Sequence, residues 1–217
     1  MPLDLRKTAT VLAGMTTQRR LRQPIVWVDC EMTGLDPRKD TILEIAVALT
    51  DGDLKTVIEG PEIVIHHDED VLQSMSEWCI ENHGKSGLTD RVRQSTTTMK
   101  AAEEQVLEFV NRWVTKPSEA PLGGSSVHCD RQFLAAYMPT FERTLHYRNI
   151  DVSTIKEICK RWYPKWFSKC PKKKLAHRAM GDILESIEEL RYYQQTIFIG
   201  ARTKQSSTQT GGDDDLP

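Results

Sequence analysis

The sequence lacks long apolar runs and paired-cysteine motifs. No stretch of its 217 residues approaches the 18 consecutive apolar residues of a membrane-spanning helix, so we expect no membrane partner. The five cysteines are an odd number, are widely spaced and include no CxxC pair. A disulfide framework and a structural zinc site are therefore not predicted, and a reducing compartment is implied. Charge of one sign is not in excess either, because the formal net charge is −2.

The remaining composition is that of an ordinary globular protein, with 39% hydrophobic and 28% charged residues. Residues 1–23 are basic and have no apolar block suited to secretion, so they predict a flexible segment, with mitochondrial targeting as the alternative. Residues 200–217 are polar and low in complexity, which predicts a disordered tail. One domain is expected over residues 24–199, located in the mitochondrion, the cytoplasm or both.

A strongly basic stretch covers residues 156–178, where nine basic residues stand against the single acid Glu157. The same stretch contains four aromatic residues: Trp162, Tyr163, Trp166 and Phe167. This composition is typical of a surface that contacts nucleic acid, and equally of a solvated helix face with its loop.

The hydrophobic pattern predicts an α/β domain with a mixed sheet. Ile25 to Val28 is apolar on both faces, as in a central strand, and two more strand candidates follow the turn-rich segment 33–40 to form a three-strand meander. Helices and strands then alternate. The remaining predicted elements are a helix near residues 75–82, a helix at 99–113, a glycine-rich strand at 121–127 ending near His128, a helix at 131–137, a strand at 147–151, a helix at about 153–162 with Thr154 and Glu157 as its capping box, and a final helix carrying Ile183 to Ile197.

Two acids stand at the end of the first strand. Because side chains alternate along a strand, Asp29 and Glu31 project from one face, about 7 Å apart. Carboxylates leaving a buried strand on one side repel each other unless a cation or a base lies between them, which favours Mg²⁺ or Mn²⁺. The alternative is that the strand has already reached solvent there.

Two further carboxylates, Asp130 and Asp182, lie at the ends of predicted elements. Each has an ordinary alternative role, as a helix cap or as an acid near a helix N-terminus. Together with the first pair they offer four oxygen-donor side chains, which suits two hard metal ions roughly 4 Å apart on a phosphodiester. His177 precedes Asp182 by five residues, about 140° away on a continuous helix, so we expect it in the preceding loop as a general base or as a solvated bystander.

Four segments carry a resemblance to a known family: Asp29 to Asp36 (DCEMTGLD), Ser126 to Asp130 (SVHCD), His146 to Ser153 (HYRNIDVS) and His177 to Asp182 (HRAMGD). In order and spacing they resemble oligoribonuclease of the DEDDh group of 3′-to-5′ exonucleases, and chiefly its eukaryotic members. The resemblance covers Ile25 to about Phe198. It implies a ribonuclease H-like fold, usually homodimeric, that degrades short single-stranded RNA down to dinucleotides, releasing 5′-mononucleotides with two Mg²⁺ or Mn²⁺ ions per site.

The resemblance also implies roles for individual residues. Asp29, Glu31, Asp130 and Asp182 match the metal ligands, and His177 matches the general base. The residues that match substrate contacts are Leu35 and Trp78, which wedge and stack the bases, His83, which contacts the 3′ nucleotide, and Ser126, Ser153 and, across the dimer interface, Tyr147 and Arg148, which hold the terminal 5′ phosphate. Without the resemblance, the spacing of Trp78 relative to Met75 and Cys79 predicts a core residue.

Three residues depart from the family pattern. Gly124 stands where Asn is usual, Cys129 replaces an acidic or amide residue, and Gly181 replaces an Asp. None of them removes a predicted ligand or the base, although Gly181 leaves one carboxylate fewer near the metals. Two other functions stay open: a DEDDh exonuclease acting on longer RNA or DNA, and a catalytically silent RNA-binding relative.

Overall fold

The computed structural model describes residues 21–171 and 178–198. Most of the predicted N-terminal segment, the predicted tail and the predicted base His177 therefore lie outside the described residues. Among the described residues, no helix has both the length and the apolar composition needed to cross a lipid bilayer.

Five strands form one mixed sheet, in the order β3-β2-β1-β4-β5. They are β1 Ile25–Met32, β2 Ile42–Thr50, β3 Val57–Val64, β4 Pro121–Gly124 and β5 His146–Asp151. The first three pair antiparallel as the predicted meander, while β4 and β5 are parallel to β1. The predicted fold class is confirmed.

Helices cover both faces of the sheet. Those of the described residues are α1 Glu69–Gln73, α2 Glu77–Lys85, α3 Leu88–Gln94, α4 Met99–Trp113, α5 His128–Tyr137, α6 Pro139–Glu142, α7 Val152–Trp162, α8 Pro164–Phe167 and α9 Ala179–Thr196. The short helices α1 and α3 were not predicted, because neither is long enough to show a clear 3.6-residue period.

Strand β1 is buried on both faces, and its alternation separates two cores. Val26 and Val28 belong to the core beneath α4, α5 and α6. Ile25 and Trp27 belong to the opposite core, which α7 and α9 cover. Since side chains two residues apart share a face, Asp29 and Glu31 continue the row that begins with Ile25 and Trp27. The sheet therefore directs both acids toward the side on which α9 packs.

Two boundaries differ from the sequence prediction. The glycine-rich strand ends at Gly124, and α5 already begins at His128, because Ser126 adopts a left-handed backbone with φ of 55° that turns the chain out of the sheet. The cap of α7 is Asp151, whose side chain accepts the Ser153 N–H, so the predicted capping box at Thr154 is wrong.

Candidate active site

An acidic cluster lies where β1 ends beneath the first turn of α9. Ligand oxygens of Asp29, Glu31 and Asp182 all lie within 4.8 Å of one another. The first two project from one face of β1, and Asp182 lies in the first turn of the helix that packs on β1 and β2. Residues more than 150 positions apart in the sequence thus meet because the last helix crosses the end of the first strand.

The fourth predicted carboxylate, Asp130, is hydrogen-bonded to the backbone of β1. Asp130 is buried in the first turn of α5, and its Oδ1 accepts the backbone N–H of Cys30 at 2.9 Å. It is not a member of the group of three that lies within 4.8 Å. The structure therefore brings together three of the four predicted metal ligands and anchors the fourth to the β1 backbone beside them.

Burial, together with neighbouring acids, raises the pKa of two carboxyl groups at this end of the sheet. Burial, reinforced by the carboxylates of Glu44, Asp182 and Asp130, raises the pKa of Glu31 to about 7, while Arg91 opposes the shift. Burial likewise raises the pKa of Asp130 to about 7, opposed by its hydrogen bond from Cys30. The raised pKa values show that negative charge is unfavourable here without a cation. Clustered carboxylate oxygens are also the ligands that Mg²⁺ and Mn²⁺ require.

A cleft of about 810 Å³ opens beside the cluster. Glu31 and two predicted base contacts, Leu35 and Trp78, line it. Both are strongly exposed for their type, Leu35 at 81% and Trp78 at 61%. The core position that the spacing predicts for Trp78 is therefore wrong, because the helix α2 begins at Glu77 and buries Cys79 and His83 instead.

The loop that carries Leu35 is tied at its base. Asp40 accepts hydrogen bonds from the Thr33 hydroxyl at 3.1 Å and the Asp36 N–H at 2.9 Å. The Tyr137 hydroxyl donates to the Asp40 carbonyl at 2.6 Å. Leu35 therefore projects into solvent from a loop whose own backbone is held in place.

His83 lies in the wall of the same cleft and is buried. One ring nitrogen, Nε2, lies 2.9 Å from the Met32 carbonyl, and the other, Nδ1, lies 3.9 Å from a carboxylate oxygen of Glu31. His83, the predicted contact with the 3′ nucleotide, thus already connects α2 to the end of β1.

The predicted phosphate contacts Ser126 and Ser153 meet at a second cavity of about 450 Å³. Their hydroxyl oxygens lie 3.1 Å apart. Asp151 lies between their backbones and accepts both N–H groups, at 2.8 Å from Ser126 and 3.1 Å from Ser153. Sequence reasoning missed Asp151, although an Asp at a strand end two residues before Ser153 is itself an N-cap signal.

The remaining two predicted contacts lie on β5, an edge strand of the sheet. Tyr147 is 73% exposed, and the Arg148 guanidinium lies 5.1 Å from the centre of its ring. Neither residue is among those that line the cleft or the serine cavity of this chain.

Two departures from the family pattern have structural consequences. A Cβ on Gly124 would lie 2.9 Å from both the Val28 carbonyl and a Val127 methyl, so the usual Asn does not fit this backbone. A Cβ on Gly181 would meet nothing closer than the Arg178 Cβ at 3.9 Å. The first glycine is therefore required by close approach of the backbone, whereas the second is not.

Comparisons with known proteins agree with this architecture. The exonuclease family model (RNase T) matches residues 26–190. Human mitochondrial oligoribonuclease is 52% identical over 186 residues, covering 86% of this chain and 78% of that protein. A probable oligoribonuclease of Dictyostelium discoideum is 54% identical over 174 residues, covering 80% of this chain and 90% of that protein.

A solved structure shows the same fold at lower similarity. Escherichia coli exonuclease I in complex with a dA16 oligonucleotide superposes with a TM-score of 0.64 at 14% identity. The alignment covers 81% of this chain and 42% of that chain, so this chain spans less than half of the larger enzyme. Taken with the family match and the identities above, the chain belongs to the oligoribonuclease family of exonucleases.

Proposed function

We propose that the protein, a 3′-to-5′ exoribonuclease by its family, hydrolyses very short RNA oligonucleotides, down to dinucleotides, to 5′-mononucleotides with two divalent metal ions. The observation that carries the proposal is the meeting of Asp29, Glu31 and Asp182 within 4.8 Å beside a cleft walled by exposed Leu35 and Trp78. A cation site and a base-stacking site side by side are what cleavage of the last phosphodiester of a short strand requires.

The acidic residues would hold the metal ions. Asp29, Glu31 and Asp182 supply the clustered oxygens, and Asp130, anchored to the Cys30 N–H, is the fourth donor. When bound, Mg²⁺ or Mn²⁺ lowers the pKa of a water and neutralises charge on the phosphodiester. His177 accepts the proton of the attacking water; its assignment rests on the family resemblance.

The cleft residues orient the RNA. Leu35 and Trp78 enclose the bases, and stacking on an aromatic side chain tolerates any base because every base has a π-face. His83, held by the Met32 carbonyl, faces the same cleft as Glu31 and contacts the 3′ nucleotide. Ser126 and Ser153 receive the terminal 5′ phosphate, so a longer strand has no room to continue past them.

The length of the substrate tests the proposal. Labelled RNAs of 2 to 20 nucleotides, incubated with Mg²⁺ or Mn²⁺, should be cleaved fastest at 2 to 4 nucleotides. Equal rates for 2-mers and 20-mers would favour an exonuclease on longer strands. Binding of a dinucleotide without release of mononucleotide would indicate a silent RNA-binding relative.

We also propose a homodimer in which Tyr147 and Arg148 of one protomer complete the phosphate site of the other. Their exposure on an edge strand and their absence from this chain's own serine cavity support this arrangement. The planar guanidinium of Arg148 suits bidentate contact with a phosphate. Mixing Arg148→Ala protomers with Asp29→Asn protomers should restore partial activity, and the absence of rescue would contradict sharing.

The similarity to relatives named mitochondrial, together with the basic segment 1–23, supports a mitochondrial location. Imaging of the full chain with a C-terminal fluorescent tag tests it. Signal confined to the cytoplasm would contradict it.

A further inference from the structure

One carboxylate connects two serines that belong to different elements. Asp151, the last residue of β5, caps α7, and its Oδ1 accepts the N–H of Ser126 and the N–H of Ser153. Its Oδ2 accepts the hydroxyl of Thr154 at 2.7 Å. The turn after β4 and the start of α7 are thereby fixed relative to each other, and their two serine hydroxyls lie 3.1 Å apart.

The backbone of Ser126 needs this support. Its φ of 55° is a left-handed conformation that a side-chain-bearing residue rarely adopts, and such conformations persist where the surroundings hold them. The short hydrogen bond of 2.8 Å to Asp151 is a direct restraint on that peptide. Without it, the turn is free to relax and to carry the Ser126 hydroxyl away from Ser153.

Few hydrogen-bond donors in the serine cavity therefore remain available to an incoming anion. Asp151 already occupies both serine N–H groups, which would otherwise be available at the start of α7. Arg161, which lines the same cavity, is bound to the side chain and the carbonyl of Glu157. Recognition of a phosphate by this chain rests on how accurately the two hydroxyls are placed.

We propose that Asp151 is a positioning residue that gives the enzyme its preference for a 5′-phosphorylated end over a 5′-hydroxyl end. The inference rests on the proposed function, in which Ser126 and Ser153 bind that phosphate. Asp151 lines the same cavity, but both of its carboxylate oxygens already accept protein donors, so it acts through the backbones of the two serines.

Two variants separate positioning from helix capping. Asp151→Ser retains a good N-cap for α7 but offers one short hydroxyl that cannot hold both N–H groups. Asp151→Asn retains a carbonyl oxygen at the same reach and should hold both. Thr98→Ala is the matched control, because it removes the cap of α4, where Thr98 accepts the Ala101 N–H, far from the serines.

The measurement is kcat and KM for the diadenosine ribodinucleotide with and without a 5′ phosphate. In Asp151→Ser, the ratio of kcat/KM between the two substrates should fall about tenfold through a higher KM for the phosphorylated one, with its kcat nearly unchanged. Asp151→Asn should restore most of the preference, and Thr98→Ala should keep all of it.

The outcomes distinguish the positioning role of Asp151 from the proposed function on which it rests. An unchanged preference in Asp151→Ser, or an equal loss for both substrates, would overturn the positioning role and leave the exonuclease proposal intact. A wild-type enzyme that cleaves both dinucleotides equally well would overturn the serine phosphate site, and the positioning role with it. Absence of cleavage of either substrate by the wild-type enzyme would overturn the proposed function itself.

Discussion

The acidic cluster and the serine cavity lie beyond the carboxyl ends of the parallel strands, yet their carboxylates have opposite surroundings. Glu31 is surrounded by further acids, and its pKa rises to about 7. Asp151 is surrounded by donors, because two N–H groups and one hydroxyl point at it. The first arrangement favours a cation, whereas the second places two serine hydroxyls side by side, with the Ser126 hydroxyl donating to that of Ser153, where an anion would meet them. The proposed RNA substrate, with a metal ion at one phosphate and the serines at the other, would match both.

The largest effect should come from removing one charge at the acidic cluster. Asp182→Asn keeps the size of the side chain but weakens cation binding, so release of mononucleotide from a dinucleotide should fall by about 10³-fold or more, while circular dichroism shows an intact fold. Glu188→Gln is the matched control, since it removes an exposed carboxylate from the same helix. Near-normal turnover in Asp182→Asn would contradict the metal assignment.

Removal of the metal ions from the acidic cluster should lower the stability of the folded protein. At about 100 times its Kd, Mg²⁺ stabilises the folded state by about 2.7 kcal/mol relative to EDTA, seen as a higher Tm. The gain should be larger at pH 8 than at pH 6, because the folded-state pKa of Glu31 is about 7 and a proton competes with the metal below it.

Potassium chloride at equal ionic strength is the control for this measurement, because it screens charge without filling the cluster. A Tm that responds equally to both salts, or an Asp182→Asn variant that gains as much from Mg²⁺ as wild type, would refute a specific site.

The cleft should matter for binding more than for chemistry. Trp78→Ala removes a stacking surface worth about 1 to 3 kcal/mol per base, so KM for a dinucleotide should rise about tenfold or more. Ile80→Ala removes an exposed apolar side chain from the same helix without touching the cleft. If both variants raise KM equally, the loss reflects α2 and not stacking.

The smallest effect should come from Gly181, in the first turn of α9. Gly181→Ala has room for its methyl group and should raise the free energy of unfolding by about 0.5 to 1 kcal/mol, measured by urea denaturation. Gly181→Asp adds a carboxylate beside Asp182, so its gain should exceed that of Ala with Mg²⁺ and fall below it in EDTA. Lower stability of Gly181→Ala under both conditions would show that the glycine backbone is required.

Much of the sheet was predictable because its signals are local. The doubly apolar run of β1, the turn residues after it and the alternation that places Asp29 beside Glu31 all lie within about 20 residues. The approach of Asp182 to Asp29 and Glu31 was not predictable in this way, because no local pattern indicates which strand the last helix crosses. Sequence reasoning offered Asp182 as one of four possible oxygen donors, the family resemblance matched it to a metal ligand, and the structure places its carboxylate within 4.8 Å of those of Asp29 and Glu31.

Other features failed for identifiable reasons. Trp78 matched a helical period with Met75, but Met75 precedes the first residue of α2, so the two never share a helix face. Asp130 lies outside the group of three carboxylates within 4.8 Å because its Oδ1 accepts the Cys30 N–H, and its role as a metal ligand stays a prediction. Asp151 was overlooked because Thr154 and Glu157 offered a competing capping pattern. The role of His177, the flexible segment 1–23 and the disordered tail 200–217 stay predictions.

The anchored loop beneath Leu35 has a thermodynamic consequence. Its conformational entropy is lost once, when the chain folds, and is not lost again each time a ligand arrives. A two-nucleotide fragment makes few contacts and has little binding energy to spare for ordering a flexible wall. In the proposed function, the hydrogen bonds at Asp40 and Tyr137 would therefore let the smallest fragments compete with larger ones, which bring more contacts of their own.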